Sequence, residues 1–543
     1  MGWGMNLLRF MTVIVCIPAS TVVGQNPPTN FRIYPSAVTQ TEPVIAISPT
    51  DSNLLFVSAA TINTSNGFRS EGVYVSTNGG MTWWGTDTCT GQLISNHNGS
   101  PGVMIHPEGR FILTHNGLVF PGIYSHYSTD KGLSWSNAYT ISSDQAEDKG
   151  SSGMDDHPSS PFYGRLYVAW VRLLIPFPLS FAYSTNAGSS WTAPAAVNGT
   201  PPSRCSGGSI AIARNGTVYV SWAGMTATTP LIEDFAGFAF STDGGVSWSV
   251  TQNAFDMNGI NGTLPEKGNI RVNGLPQIVV DNSGGACDGW LYIVTTQKNL
   301  APAGSDPDII LYRSTNRGAT WSQGIRVNQD ALNNGKIQYF PAMDVDSFGG
   351  INIIYYDDRF TTSDSAEVIY ARSMDGGNTW TERVISEHRF KPKPIVGGAS
   401  NYQGDHIALK ASGTKLYALW MDDDAGLYQV WMAILRLGPS AVSDVELPQR
   451  FELEQNYPNP FGAAIAPGQH ATTIRFTVAG STSSIRLQVF DVLGREVATL
   501  VNETRQPGIH TATFDGRNLP SGVYLYRLTA EGRSLTRKML LVR

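Results

Sequence analysis

One eight-residue pattern recurs six times and constrains this chain more than any other feature. It reads Ser76-Thr-Asn-Gly-Gly-Met-Thr-Trp83, Ser128-Thr-Asp-Lys-Gly-Leu-Ser-Trp135, Ser184-Thr-Asn-Ala-Gly-Ser-Ser-Trp191, Ser241-Thr-Asp-Gly-Gly-Val-Ser-Trp248, Ser314-Thr-Asn-Arg-Gly-Ala-Thr-Trp321 and Ser373-Met-Asp-Gly-Gly-Asn-Thr-Trp380. The Trp-to-Trp intervals are 52, 56, 57, 73 and 59 residues, a period that suits four-stranded blades with long loops. The chemistry is that of a hairpin turn. Asn78, Asp130, Asn186, Asp243, Asn316 and Asp375 can accept backbone N–H bonds from the turn each begins. The Gly two residues later tolerates positive φ. Trp83, Trp135, Trp191, Trp248, Trp321 and Trp380 then each offer a large apolar plate for packing between sheets. Nothing in the pattern is a nucleophile or a metal cage.

Strand signals recur around each turn, as in 275–281, 290–295 and 309–314, and again in 339–346, 351–356 and 368–373. A further unit lacks the turn and shows three strands, 404–410, 416–421 and 428–435. The segment 29–34 can supply its fourth strand and close the ring, which removes an edge that would otherwise invite aggregation. The expectation is an all-β propeller over 27–437, with seven blades predicted and six as the alternative.

Composition narrows the function classes. With 43 acidic and 37 basic residues, a net charge of −6 and 15% charged residues, the chain lacks the basic face of a nucleic-acid binder. It also lacks the charge imbalance of a disordered chain. Arg9, the apolar run 10–17 and the small residues up to Gly24 have the order of a signal peptide over 1–24. No later segment supplies the ~20 apolar residues of a membrane helix. After cleavage Cys89, Cys205 and Cys287 remain, too few for a disulfide framework, and their pairing stays open. No Cys-x-x-Cys or His-x-x-x-His spacing is present, so the expectation is no structural zinc and no cofactor. Oxygen-rich loops would admit Ca²⁺, but no EF-hand spacing occurs. A monomer is expected.

The six turns resemble the Asp-box, or bacterial neuraminidase repeat, of sialidase-like propellers. That resemblance implies an arginine triad for the substrate carboxylate, a Tyr–Glu nucleophile pair and an Asp acid, a departure from the two-carboxylate scheme. Asp-boxes also occur in non-catalytic receptors, so function must be argued from the site. Phe31-Arg-Ile-Tyr-Pro35 is similar to the family's opening Arg motif but carries an inserted Tyr34, and a closing strand at 29–34 would leave Arg32 on the rim. Glu42-Pro-Val-Ile-Ala-Ile47, the innermost strand of blade one, has no Arg. Arg313 and Arg372 precede turns and suit interstrand pairing. Tyr356, Asp357, Asp358 and Arg359 form the most chemically loaded stretch; Tyr356, Asp358 and Arg359 are the candidate catalytic residues and Asp357 a candidate binding residue at the channel mouth, and the bland alternative is a loop salt bridge. Asp156 and His157 precede the strong strand 165–170, and Asp405 and His406 open the first strand of the last unit; because inner-strand starts converge at one mouth, they are candidate channel-mouth residues, with structural turn carboxylates as the alternative.

After Leu437 the composition shifts to a linker, 438–450, and then to alternating strands over 451–543 that predict a small Ig-like β-sandwich. Asn456-Tyr-Pro-Asn-Pro-Phe461, Val489-Phe-Asp-Val-Leu-Gly494, Leu519-Pro-Ser-Gly-Val-Tyr524 and the basic-ended last strand resemble the type A C-terminal sorting domain of the type IX secretion system. The resemblance implies a Gram-negative bacterium of the Bacteroidota kind, export across both membranes, and a partner in the secretion machinery. Two functions from different classes remain open: a secreted exo-α-sialidase-like glycoside hydrolase without a clear arginine triad, and a non-catalytic, adhesin-like propeller that binds a glycan or protein.

Overall fold

The structure is a computed structural model that describes residues 28–90, 96–144, 146–226, 228–439, 452–462, 470–478, 483–505, 508–530 and 533–543. The expected signal peptide and residues 440–450 of the expected linker lie outside the described residues. The chain forms two compact units, described in turn.

The first unit is a succession of four-stranded antiparallel sheets of the kind that form propeller blades. Sheet 1 holds Thr39–Ile47, Leu55–Asn63, Val73–Ser76 and Trp84–Thr86, with Phe68–Glu71 as an extra strand on the second. Sheet 2 holds Gly102–Ile105, Phe111–Asn116, Ile123–Ser128 and Tyr139–Ser142. Sheet 3 holds Glu147–Met154, Leu166–Arg172, Leu179–Ser184 and Ala195–Ala196. Sheet 4 holds Cys205–Ile212, Val218–Met225, Glu233–Ser241 and Ser249–Asp256. Sheet 5 holds Gln277–Val280, Leu291–Gln297, Asp308–Ser314 and Ile325–Arg326. Sheet 6 holds Gln338–Val345, Ile351–Asp357, Glu367–Ser373 and Thr381–Val384. Sheet 7 holds Ala408–Ser412, Lys415–Asp422 and Gln429–Arg436, and its outer strand is Asn30–Arg32 from the other end of the unit. The first strand of each sheet packs against the first strand of the next, and that of sheet 7 returns to sheet 1. Second strands are the most apolar, because they are covered on both faces. Trp170, Trp222 and Trp420 are fully buried there.

The recurring turn builds itself from its own side chains. Ser76 Oγ donates to Asn78 Oδ1 (3.0 Å) and accepts from Gly80 N (2.9 Å), while Thr82 N donates to Asn78 Oδ1 (3.0 Å). The aspartate form matches it: Ser128 Oγ to Asp130 Oδ1 (2.7 Å), Gly132 N to Ser128 Oγ (2.7 Å) and Ser134 N to Asp130 Oδ1 (2.9 Å). Gly132 sits at φ 86°, where a Cβ would be strained. The tryptophans reach the preceding sheet. Trp135 lies 5.7 Å from Phe56 of sheet 1, Trp248 4.8 Å from Phe181 of sheet 3 and Trp321 5.4 Å from Phe238 of sheet 4, between ring centroids. Trp191 Nε1 donates to Ser125 Oγ of sheet 2 (2.8 Å), and Trp380 joins the apolar core that contains Leu311 of sheet 5.

These turns make a pH prediction. Hydrogen bonds from Ser134 and Ser247 lower the Asp130 and Asp243 carboxyls to about 2. A folded-state value below the unfolded one of about 3.9 gives stability that is complete above that pH and is lost as pH falls towards 2. Asn78, Asn186 and Asn316 form the same turn without a charge, donating from Nδ2 to a hydroxyl at 2.8 Å. D130N/D243N is therefore expected to match the wild type within about 0.5 kcal/mol at pH 7 and to lose less stability at pH 3. Urea midpoints at both pH values check this, and an unchanged acid sensitivity would refute it.

The second unit pairs a three-stranded sheet, Glu452–Leu453, Ala471–Val478 and Gly508–Asp515, with a four-stranded one of Glu496–Arg505, Ser483–Phe490, Gly522–Ala530 and Arg533–Leu541. Leu453, Phe476, Ile485, Leu487, Tyr526 and Leu528 share one core drawn from both sheets. Asn456 N donates to the Tyr526 hydroxyl (2.8 Å), its Nδ2 donates to Thr472 Oγ1 (2.9 Å), and Phe461 is fully buried. The recurrent Asn-Tyr-Pro-Asn-Pro-Phe segment thus plugs the sandwich. Cys205 and Cys287 are free thiols.

Candidate functional site

First strands begin with bulges. Pairing shifts between Thr41 and Val44, Asp148 and Ser151, Ser206 and Ser209, and Tyr339 and Ala342. Glu42, Gly207 and Phe340 take φ of 54°, 65° and 51° inside these irregularities. A bulge re-aims side chains that regular pleating would send into the sheet. The starting halves of all seven first strands enclose a cavity of about 300 Å³, whose polar lining includes Glu42, Ser100, Ser152, Asn273, Asp405 and His406.

A phenol, an arginine and three carboxylates gather at this mouth. The hairpin of Gly262–Leu264 and Ile270–Val272 lies between sheets 4 and 5 in the chain and delivers Arg271. Arg271 Nη2 bonds Asp405 Oδ2 (2.7 Å), and its guanidinium lies 5.1 Å from the Tyr402 ring centroid. Its backbone N donates to Asn401 O (2.6 Å). Burial opposes the charge on Arg271, but Asp405 outweighs it and raises the pKa. Burial, then the charges of Glu42 and Asp405 beside it, hold the Tyr402 pKa well above the ordinary tyrosine value. Glu42 Oε2 also accepts from Ser100 N (3.2 Å), and Glu71 Oε1 accepts from the neighbouring Gly99 N (3.0 Å). Glu71 is fully buried and its Oε2 has no hydrogen-bond partner. Burial and the nearby Glu42 raise its pKa well above the ordinary carboxylate value.

The structure separates the residues singled out from sequence. Asp405 and His406 line the mouth. Asp156 and His157 follow the far end of the strand Glu147–Met154, whose cavity-lining part is 150–152, so they do not join Asp405 and His406. There His157 Nε2 meets Asn282 Nδ2 (2.8 Å) and lies 3.4 Å from Asp156 Oδ1. The Tyr356–Arg359 stretch is consumed by the framework. Tyr356 is fully buried, with its hydroxyl donating to Met421 O (2.6 Å) and accepting from Met421 N (3.1 Å). Asp358 is fully buried, bonded to Lys267 and to Ile337 N. Arg359 forks onto Asp357 and Glu382 and bonds the Tyr355 hydroxyl (3.1 Å). Burial pushes the Asp357 carboxyl up to about 6 against the pull of Arg359. A ligand reaching this group would first have to break those bonds.

Arg32 pairs with Trp431 across the ring closure and lies over its indole at 5.9 Å. Arg372 is buried against Asp346 (2.8 Å). Sequence reasoning passed over Glu71, Arg271 and Tyr402. The residues of the mouth are spread over more than 350 positions, from Glu42 to Asp405, and no local motif joins them.

Residues 456–542 match the family described as the secretion system C-terminal sorting domain. The protein is sorted by the type IX system, for secretion from or attachment to the surface of a Gram-negative bacterium. No curated protein matches the chain. Among solved structures, the chain is similar to a polysaccharide lyase of family PL25, an ulvan lyase, at 11% identity and a TM-score of 0.45, covering 74% of this chain and 95% of that one. It is also similar to the Hadza microbial sialidase Hz136, at 15% identity and a TM-score of 0.40, covering 72% and 75%. A leech intramolecular trans-sialidase matches at 13% identity and a TM-score of 0.40, covering 67% and 71%. No described helix is long and apolar enough to cross a membrane.

Proposed function

We propose that the first unit, residues 27–437, is a seven-bladed Asp-box propeller that binds and cleaves glycans at its central mouth. Behind a signal peptide at 1–24 and before a linker at 438–450, it is cargo carried out of the cell by the 451–543 sandwich. The observation that carries the reading is the grouping of the Tyr402 phenol with Glu42 and Asp405, which line the cavity, and with Arg271 lying against the same phenol. A tyrosine held well above its ordinary pKa is a poor nucleophile alone. The neighbouring Glu42 carboxylate can take its proton as the phenol oxygen attacks the anomeric carbon, while the glycosidic C–O bond breaks and the departing oxygen takes a proton from water. Asp405, Asn273 and His406 offer the polar groups that sugar hydroxyls need.

The charge balance selects among glycans. Glu42 and Asp405 line the cavity beside the Arg271 guanidinium, which Asp405 already engages. That balance supports hydroxyl-rich sugars over strongly anionic ones. It also favours the second reading, a glycan-binding propeller without turnover, because no arginine is among the residues lining the cavity.

The test is hydrolysis of a panel of fluorogenic glycosides, a sialoside included, by the full chain with and without Ca²⁺. Y402F and E42Q are expected to lower kcat by about 100-fold or more and to leave the thermal midpoint within a few degrees of the wild type. Wild-type inactivity across the panel would sink the hydrolytic reading. Glycan-array binding lost in R271A would then support the binder.

A further inference from the structure

We propose that His97, His115 and His126 form a binding site for one divalent transition-metal ion of the zinc class. The three side chains are buried at 0%, 2% and 1% relative exposure, and each offers a ring nitrogen within 4.8 Å of the others. Strand pairing brings two of them together. His126 sits opposite Leu113 in the ladder of sheet 2, and His115 is two residues further along on the same face.

Hydrogen bonding fixes the tautomers. His115 Nδ1 lies 2.8 Å from Asn116 O, and His126 Nδ1 lies 3.0 Å from Ser136 O. A carbonyl oxygen only accepts, so both Nδ1 atoms carry the proton and donate it. Both Nε2 atoms are then bare lone pairs, and they face each other at 3.2 Å. Two buried lone pairs at that distance repel unless a cation or a shared proton lies between them. A shared proton would serve these two nitrogens alone, whereas a metal ion also engages the third ring. Zinc–nitrogen bonds of about 2.0–2.1 Å at a tetrahedral angle place two ligand nitrogens roughly 3.3 Å apart. Nδ1–H groups anchored on backbone carbonyls are also how proteins orient metal-ligating histidines.

His97 supplies the third ligand. Its ring stacks on His115 at 3.7 Å between centroids and 10° between planes, and neither of its nitrogens has a hydrogen-bond partner. Two buried ring nitrogens without partners are a cost that the fold carries for no packing reason. Side-chain rotation brings one of them onto an ion held by His115 and His126, and leaves a fourth position for water. Three imidazoles suit Zn²⁺, Co²⁺, Ni²⁺ or Cu²⁺ and not Ca²⁺ or Mg²⁺.

The ion would reach the mouth through one loop. His97 lies two and three residues before Gly99 and Ser100, whose N–H groups hold Glu71 and Glu42. His97, His115 and His126 are positioning residues with respect to those carboxylates. That consequence rests on the reading of the mouth, whereas metal binding itself does not.

The full chain, stripped with a chelator and dialysed, is titrated with Zn²⁺ followed by thermal unfolding, and with Co²⁺ followed by visible absorption. The expected result is one ion per chain at micromolar concentration, a raised thermal midpoint, and tetrahedral Co²⁺ bands without a thiolate charge-transfer band. H115Q and H126Q are each expected to weaken binding by more than about 100-fold. H97F, which keeps an aromatic ring in the stack, guards against loss of fold and is expected to bind at least tenfold more weakly while unfolding cooperatively. No stoichiometric binding by the wild type, a thiolate band, or binding unchanged in H115Q and H126Q would each overturn the proposal. All these readouts are independent of glycan turnover.

Discussion

Deleting residues 28–34 is expected to abolish cooperative folding of the first unit. The deletion removes the outer strand of sheet 7, where Asn30, Phe31 and Arg32 pair with Ala433, Met432 and Trp431. It also cuts a second tie. Asn30 Nδ2 donates to Ile385 O (2.9 Å), and Glu387 N donates to Asn30 Oδ1 (2.6 Å), so this short strand clamps sheet 7 to the end of sheet 6. Without it, Gln429–Arg436 becomes a bare edge of eight residues, a template for pairing with another chain. The truncated protein is expected to elute as aggregate and to lose its sharp thermal transition. N30A, which removes only the buried amide, is expected to cost about 2–4 kcal/mol by leaving buried backbone groups unsatisfied. A truncated chain that stays monomeric and unfolds at the wild-type midpoint would show that closure contributes nothing.

That closing strand shows what could be read from sequence alone. Repeats announce themselves because every sheet needs the same turn chemistry at the same place, so Ser, Asp or Asn, Gly and Trp recur in register. A unit with three strands and a spare strand at 29–34 followed from counting, and the last strand of sheet 7 is that segment. The sorting sandwich was equally plain, because Asn456, Phe461 and Tyr526 serve one local plug and keep a recognisable order.

Of the candidate site only Asp405 and His406 were legible, for a physical reason. Its groups come from sheet 1, the 262–272 hairpin and the approach to sheet 7, and only the ring brings them together. Tyr356–Arg359 looked chemical because charged and aromatic residues crowd there, but crowding is also what a buried ion-pair network needs. The histidine cluster escaped because residues 97, 115 and 126 have no metal-motif spacing. A β ladder joins positions that its loop lengths separate arbitrarily, whereas a helix would have put ligands at fixed intervals.

Replacing Lys267 with Met is expected to cost about 3–5 kcal/mol, the usual penalty for stranding a buried charge. Lys267 and Asp358 are both fully buried. The ammonium uses all its donors: Asp358 Oδ2 and the carbonyls of Ser363 and Ser365 accept them. Methionine fills the stem's volume but leaves Asp358 Oδ2 and two carbonyls without the ammonium. Replacing the ion pair as a whole is a different experiment, because it removes the stranded charge. K267M/D358N is therefore expected to recover at least about 1 kcal/mol relative to the sum of the single variants, the signature of a coupled pair. Urea unfolding of the four proteins of the cycle measures this, and additive single effects would refute the coupling. The consequence extends to the mouth. Lys267 closes the turn of the Gly262–Leu264 and Ile270–Val272 hairpin, which carries Arg271 to Asp405. Loosening that turn at Lys267 frees the hairpin to move, so ligand binding at the mouth is expected to weaken in K267M under conditions where the protein is still folded. The Lys267–Asp358 tie, which includes one of the catalytic candidates of the sequence, is thus expected to act on the mouth by holding Arg271 in place.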